Sequence, residues 1–258
     1  MAVAGGTSLA FSKGPSGKVA VDITRLGLEG IRSDSECFTI GASTRIADLQ
    51  DYRAPGWVLD RVARNLATQQ VRNMSTLGGN LARVFRWNDF PVALLALDTS
   101  MTLQGDAQRV IEGSKYLAQQ PAQLFQPGDL LTSVRVQRLP ARSGFGYRKE
   151  VRTCADFSLV TAAAVIEVEG ASIKRARIAV GAALPFPRRL TKLESMLTGR
   201  SIAKGGFGEN AFMKIVADGT ADTDWKGQAG HSDEYTGRLA VVAIRDAVEE
   251  AAIEAVGS

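Results

Sequence analysis

Histidine is almost missing from this chain. His231 is the only one in 258 residues, which argues against a zinc centre built on imidazoles, a Ser-His-Asp triad or a Cys-His pair. Cysteine is nearly as scarce. Cys37 and Cys154 lie far apart, too few for the thiolates of an iron–sulfur cluster, and a reduced, cytoplasmic setting is expected. Long apolar runs are absent too: residues 90–97 and 159–166 are the longest nearly apolar stretches, well short of the ~20 residues of a membrane span. Residues 1–3 lack the basic and apolar regions of a signal peptide, so none is expected. No sign of charge dominates. The 31 basic and 27 acidic residues leave a net +4, with the basic ones scattered, the pattern of a solvated surface and not of a nucleic-acid footprint. Chemistry without histidine acid–base groups points to a cofactor.

What the chain does have is two glycine pairs, Ala4-Gly5-Gly6-Thr7-Ser8 and Thr76-Leu77-Gly78-Gly79-Asn80. Adjacent glycines admit positive φ and keep side chains away from a ligand. Successive exposed amides in such a turn form a concavity for anionic oxygens. Either pair alone is an ordinary turn signal; two in one domain suggest a ligand with two phosphates, such as a dinucleotide. A hydrophobic content of 45% with 22% charged residues is ordinary for a globular protein, and the length suits one large domain or two medium ones.

Alternation predicts strands at residues 18–26 and 37–42. Thr44 stands as an N-cap before a helix over 46–52, and apolar periodicity predicts one continuous helix over 57–71 running into the second glycine pair. Residues 89–97 read as a buried helix opened by Asp89 with Pro91 in its first turn. Gly105-Asp106 marks a hairpin, Gly128-Asp129 leads into a strand at 130–136, and residues 140–144 form the candidate linker. Beyond it, strands at 145–151, 157–168 and 173–183 precede helices at 190–197, 210–217 and about 233–255. Strands followed by helices make an α+β domain.

In order along the chain, these segments resemble the FAD-binding medium subunit of the molybdenum hydroxylases, the xanthine dehydrogenase and carbon monoxide dehydrogenase group. The similarity rests on AGGTSL near the start, IGAST at residues 40–44 with Asp48-Leu49, QVRN followed by STLGGNLA, Asp89-Phe90-Pro91, GDLLT at 128–132, Tyr147-Arg148-Lys149 with Arg152 and Asp156-Phe157-Ser158, the ARIAVGAA stretch, and Asp233-Glu234-Tyr235 with Arg238. The resemblance implies an α+β fold: a two-lobed FAD-binding domain over 1–140 (lobes about 1–26 and 27–140), then a C-terminal domain over 145–258 with a three-stranded antiparallel sheet and helices. The first lobe would be short, because its glycine motif begins at the fourth residue.

The resemblance further implies non-covalent FAD in this chain, with molybdopterin and iron–sulfur clusters confined to partner subunits of a heterotrimer. Electrons would come from the small iron–sulfur subunit, fed by the large molybdopterin subunit, and leave to NAD, a quinone, oxygen or another acceptor. The alternative is a non-enzymatic scaffold of such a complex that has lost FAD. By resemblance, Val3, Ala4, Gly5, Gly6, Thr7 and Ser8 form one cofactor loop and Thr76, Leu77, Gly78, Gly79 and Asn80 the other. Asp89 contacts the cofactor or caps its helix; Leu66 and Leu131 flank the ring systems or belong to the core. A family lysine falls at Arg148 or Lys149. Arg72 is expected to make a phosphate or structural hydrogen bond, and Cys154 to be a small buried residue. Arg86 and Trp87 stand where small residues are usual, facing a partner subunit or altering access to the flavin.

Overall fold

The computed structural model describes residues 1–11, 19–202 and 209–257. The chain forms two compact units: Met1–Val84 with Asp98–Arg138, and Phe85–Leu97 with Leu139–Ser258. Residues 85–97, which lie within the expected 1–140 domain, therefore pack with the second unit.

The first unit starts with strand β1 (Ala2–Val3), a 3₁₀ turn over Thr7–Phe11 and strand β2 (Val21–Asp22), paired in parallel with β1. The strand expected over 18–26 shrinks to these two residues. Lys18 lies outside the described residues; on the other side, the Asp22 carboxylate accepts from the Thr24 amide and hydroxyl, both at 2.8 Å, and Gly27 takes φ +67°, so the chain turns instead of extending. Strands β3 (Ile31–Ser33) and β4 (Cys37–Gly41) follow, then helices α1 (Ile46–Asp51), α2 (Leu59–Arg64), α3 (Gln69–Met74) and α4 (Leu77–Ala82). The helix expected over 57–71 is thus two helices. Ala67 breaks it at φ +46°, and the Thr68 hydroxyl caps α3 by accepting from the Val71 amide. Thr44 is not the cap of α1, whose N-cap is Arg45. Its hydroxyl instead bridges Gly30, accepting from the amide at 2.9 Å and donating to the carbonyl at 3.1 Å.

After helix α5 (Asp89–Ala96), which belongs to the second unit, the chain returns with β5 (Ser100–Gln104), β6 (Gln108–Glu112), α6 (Gly113–Leu117) and β7 (Leu130–Gln137). The sheet runs β3-β4-β7-β5-β6, antiparallel throughout. The hairpin at Gly105-Asp106 and the strand after Gly128 stand as expected.

In the second unit, strands β8 (Ser143–Glu150), β9 (Val160–Glu169), β10 (Ser172–Gly181) and β11 (Arg188–Arg189) form an antiparallel sheet ordered β11-β10-β9-β8. The expected three strands are there, and β11 adds a two-residue edge. Helices α7 (Thr191–Leu197), α8 (Glu209–Gly219) and α9 (Asp233–Gly257) complete the unit. The small residues of α9, from Ala240 through Ala255, are buried against the sheet, while α5 is buried along its whole length against β9 and β10. β8 is an edge strand, and α9 covers its free amides: Glu254 accepts from the Phe145 amide at 3.3 Å and Glu250 from that of Tyr147 at 3.2 Å. No helix among the described residues is long and apolar enough to cross a membrane.

Candidate functional site

In the first unit the two glycine motifs, some seventy residues apart in sequence, touch. The Thr7 and Ser75 hydroxyls are 3.0 Å apart. A Cβ on Gly5 would overlap the Met74 carbonyl oxygen, so only glycine lets the first loop lie this close to the end of α3. Gly6 takes φ +68°, the left-handed conformation that glycine adopts without steric cost. The amides of Gly5, Gly6, Thr7 and Ser8 have no protein acceptor among the described residues. The first motif is therefore the open turn that the sequence suggests.

The second motif is not. Its glycines lie in α4 and have no positive φ. The amides of Leu77, Gly78, Gly79 and Asn80 donate to Thr44 O at 2.9 Å, Ala42 O at 2.7 Å, Thr76 Oγ1 at 3.1 Å and Thr76 O at 3.0 Å. No open amide concavity remains there. Gly78 serves packing: a Cβ would stand 2.7 Å from Ala42 O and 2.8 Å from Ala42 Cβ, whereas at Gly79 it would meet only Thr76 Oγ1, at 3.0 Å. Gly78→Ala is accordingly expected to cost about 2 kcal/mol. Gly79→Ala is expected to stay within about 0.5 kcal/mol of the parent, since the helix propensity gained offsets the tight contact. Thermal unfolding of the two variants checks the order, and equal melting temperatures would show that α4 does not bear on Ala42.

A cavity of about 440 Å³ in the first unit is lined by Ala4, Gly5, Thr24, Glu29, Ser43, Arg45, Asn73, Met74 and Thr76, within the range of small-molecule sites. It draws on both glycine motifs and on the turn after β4. Of its lining, Ala4, Gly5 and Thr76 are expected site residues. Ser43 and Asn73 lie inside segments that carry the resemblance and Met74 between two of them, while Thr24, Glu29 and Arg45 carry no signal in the sequence. The Ser43 hydroxyl is buried with no hydrogen-bond partner among the described residues. A buried hydroxyl without a partner is unfavourable unless a ligand completes it. An unpaired hydroxyl beside an amide turn fits a phosphate-bearing ligand.

Other expected site residues are placed differently. Leu131 belongs to the core and Leu66 is half-buried. The Arg72 guanidinium donates to the carbonyls of Leu66 at 2.8 Å and Ala67 at 2.7 Å and to Gln69 Oε1 at 3.1 Å, so its role is structural: it holds the break between α2 and α3. Cys154 is exposed and Cys37 buried, both unpaired; the expectation of a buried Cys154 fails because residues 151–159 form a loop ahead of β9.

The second unit holds a buried polar cluster around Asp89. Asn88, not Asp89, is the N-cap of α5. The Asp89 carboxylate instead pairs with Lys149 Nζ at 2.9 Å, both side chains almost fully buried, and accepts from the Thr161 hydroxyl at 2.9 Å, which in turn is 2.6 Å from Ser158 Oγ. Burial first, and the adjacent Asp89 charge second, push the Tyr147 phenol well above its usual range. Arg148 points elsewhere, to an ion pair with Glu250 of α9.

Arg86 and Trp87 are held within the same unit. Arg86 donates to Ala182 O at 2.9 Å and Lys226 O at 2.7 Å. Trp87 stacks on Phe85 with centroids 5.0 Å apart and leans on Phe157 at 4.9 Å. With Arg152, Asp156, Ser158, Leu159, Gln228 and Ala229, three of these residues line a second cavity of about 360 Å³.

Residues 1–139 match the family described as the FAD binding domain in molybdopterin dehydrogenase, and residues 145–251 match the CO dehydrogenase flavoprotein C-terminal domain. The chain is 28% identical over 236 residues to the carbon monoxide dehydrogenase medium chain of Afipia carboxidovorans, covering 90% of this chain and 80% of that one. It is 25% identical over 233 residues to the glyceraldehyde dehydrogenase medium chain of Sulfolobus acidocaldarius, covering 88% and 82%. The solved carbon monoxide dehydrogenase of Hydrogenophaga pseudoflava superposes with a TM-score of 0.88 at 25% identity, over 98% of this chain and 90% of that one. That of Oligotropha carboxidovorans gives 0.86 at 28%, with the same coverage. The chain belongs to the FAD-binding medium subunits of the molybdenum hydroxylases, the oxidoreductase family that includes carbon monoxide dehydrogenase.

Proposed function

We propose that this chain carries electrons for its complex: it takes them from an iron–sulfur subunit and passes them through FAD to NAD, a quinone, oxygen or another external acceptor. The observation that supports this reading most is the open Gly5–Ser8 turn, whose amides have no protein acceptor among the described residues and whose Gly5 lines a cavity of the first unit together with Thr76. FAD, when bound, can accept electrons and release them to a different partner. The residues of this chain bind and orient it. Amides of the first loop suit its anionic oxygens, and Thr76 at the head of α4 supplies a hydroxyl at the cavity wall.

The family lysine position is assigned to Lys149, because Lys149 and not Arg148 shares a buried site with Asp89. Both are proposed to bear on the cofactor, together with the remaining residues of the two glycine motifs, Leu66 and Leu131. Oxidation of the organic substrate is left to the molybdopterin-bearing large subunit of such a complex. A reducing, cytoplasmic compartment suits its two unpaired cysteines.

The test is a visible spectrum of the purified native complex after denaturation. FAD released in equimolar amount with this chain is expected. An intact complex that releases none would overturn the reading and leave a scaffold role.

A further inference from the structure

Two hydroxyls stand behind the buried Asp89 carboxylate of the second unit. Their owners, Thr161 and Ser158, are fully buried. Thr161 lies directly opposite Lys149 in the β8–β9 register, and opposite residues of an antiparallel pair present their side chains on one face of the sheet. Both side chains therefore reach the same acid at the head of α5. Thr161 donates to Asp89 Oδ1 at 2.9 Å, and Lys149 Nζ lies 2.9 Å from Oδ2. A carboxylate turns about a broad, two-fold torsion. Lysine alone, a point charge on a flexible stem, leaves much of that freedom in place. A donor on each oxygen removes it.

The direction of each hydrogen bond follows from proton counting, since a hydroxyl has one proton to give. That of Thr161 is committed to Asp89, so in the 2.6 Å contact between Ser158 Oγ and Thr161 Oγ1 the donor is Ser158. The other acceptor near Ser158 Oγ, Val160 O, is farther off at 3.3 Å. Ser158 is anchored in turn by its carbonyl, which accepts from Gln228 Nε2, as does that of Leu159 at 3.2 Å. The Thr161 hydroxyl is thus held from both sides. We infer that Thr161 is a positioning residue of the cofactor site: it fixes the Asp89 carboxylate in the orientation that the Asp89–Lys149 pair presents to the flavin nucleotide, and Ser158 aims the Thr161 hydroxyl. This rests on the reading above in which Asp89 and Lys149 bear on FAD, and adds to it two residues that act through Asp89.

The experiment measures FAD dissociation constants on the full chain by quenching of flavin fluorescence, with thermal midpoints of the same chains free of FAD. Thr161→Val removes the donor and keeps the branched shape; Thr161→Ser keeps the donor and removes a methyl group. Both should lower the FAD-free midpoint, Val through lost hydrogen bonds and Ser through the small cavity it leaves. Affinity separates them. Thr161→Val is expected to weaken FAD binding about tenfold, the size of a lost hydrogen bond to a charged group. Thr161→Ser should stay within about twofold of the parent, because its hydroxyl still reaches Asp89. Ser158→Ala, which leaves the Thr161 hydroxyl in place but unaimed, is expected to weaken FAD about threefold, and it carries the test should Thr161→Val not fold. The visible spectrum of the bound flavin at saturating FAD should change in Thr161→Val and not in Thr161→Ser. The inference is overturned if Thr161→Val or Ser158→Ala binds FAD as the parent does. It is equally overturned if Thr161→Ser loses as much affinity as Thr161→Val, since binding would then follow stability alone. A parent chain that fails to bind FAD at all would bring down the FAD reading itself, and this inference with it.

Discussion

Gly146→Val is expected to detach helix α9 from the sheet of the second unit. A Cβ at position 146 would overlap the Ala247 carbonyl oxygen and stand 2.8 Å from the Ala247 carbonyl carbon and 3.0 Å from the Ala251 nitrogen. All three atoms are helix backbone, so no rotamer change relieves the contact. The helix must retreat, and retreat has a cost along its length, because Ala240, Ala243, Ala247, Ala251 and Ala255 are small residues whose contact with the sheet depends on close approach. The carboxylates of Glu250 and Glu254 would leave with it, exposing the Phe145 and Tyr147 amides of an edge strand. Ordinary overpacking costs ~1–3 kcal/mol; with the edge uncovered as well, about 4 kcal/mol or failure to fold is expected. Hydrogen exchange is the suitable measurement, since a single unfolding free energy is ill-defined for a chain with two compact units. Amides of α9 should lose protection while those of β4 and β7 keep theirs. Unchanged protection in α9 would show that the helix does not sit on Gly146. Gly144→Ala, which would overlap the Ala251 carbonyl oxygen, should act in the same direction.

Much of the order of strands and helices was legible in the sequence because those elements carry their own patterns. β4, α1, α5, the β5-β6 hairpin, β7 to β10 and α7 to α9 announced themselves by period, by turn residues and by stops such as Gly199, which takes φ +83°. What escaped was decided by contacts between distant segments. Apolar spacing suggested one helix over 57–71, but Ala67 adopts a left-handed conformation that Arg72 then pins through the carbonyls of Leu66 and Ala67. Nothing local requires that break. The same limit applies to the second glycine pair. Two glycines in a row read as an open turn; only the nearness of Ala42, on another element, makes Gly78 a packing residue and engages the amides around it. Ser43 stood inside a recognised motif, yet its place in the lining of a cavity depends on separate stretches of chain that meet only in the fold. Asp89 was visible as a helix-opening acid. Its partner was not, because Lys149 lies sixty residues on and only the register of β8 decides whether Arg148 or Lys149 turns inward.

That register gives the last prediction its size. Asp89→Ala is expected to destabilise the second unit by about 3–5 kcal/mol, the range for removing one partner of a buried ion pair. Lys149 would be left nearly inaccessible to solvent with no counter-charge from position 89, and the Thr161 hydroxyl would lose its acceptor. Lys149→Met should cost a comparable amount by leaving the carboxylate unbalanced. The double variant is expected to lose far less stability than the sum of the two single losses, because a neutral pair of apolar side chains leaves no buried charge without a partner. Urea unfolding followed by hydrogen exchange in β8, β9 and α5 measures all three. Losses that simply add would mean that the two charges do not interact in the folded chain. A carboxylate and an ammonium buried together at this cost are poor devices for stability alone, since well-packed apolar residues of similar volume often do as well or better. The cofactor role proposed for the pair would account for their presence, and the same double variant tests it: it should regain stability without regaining FAD.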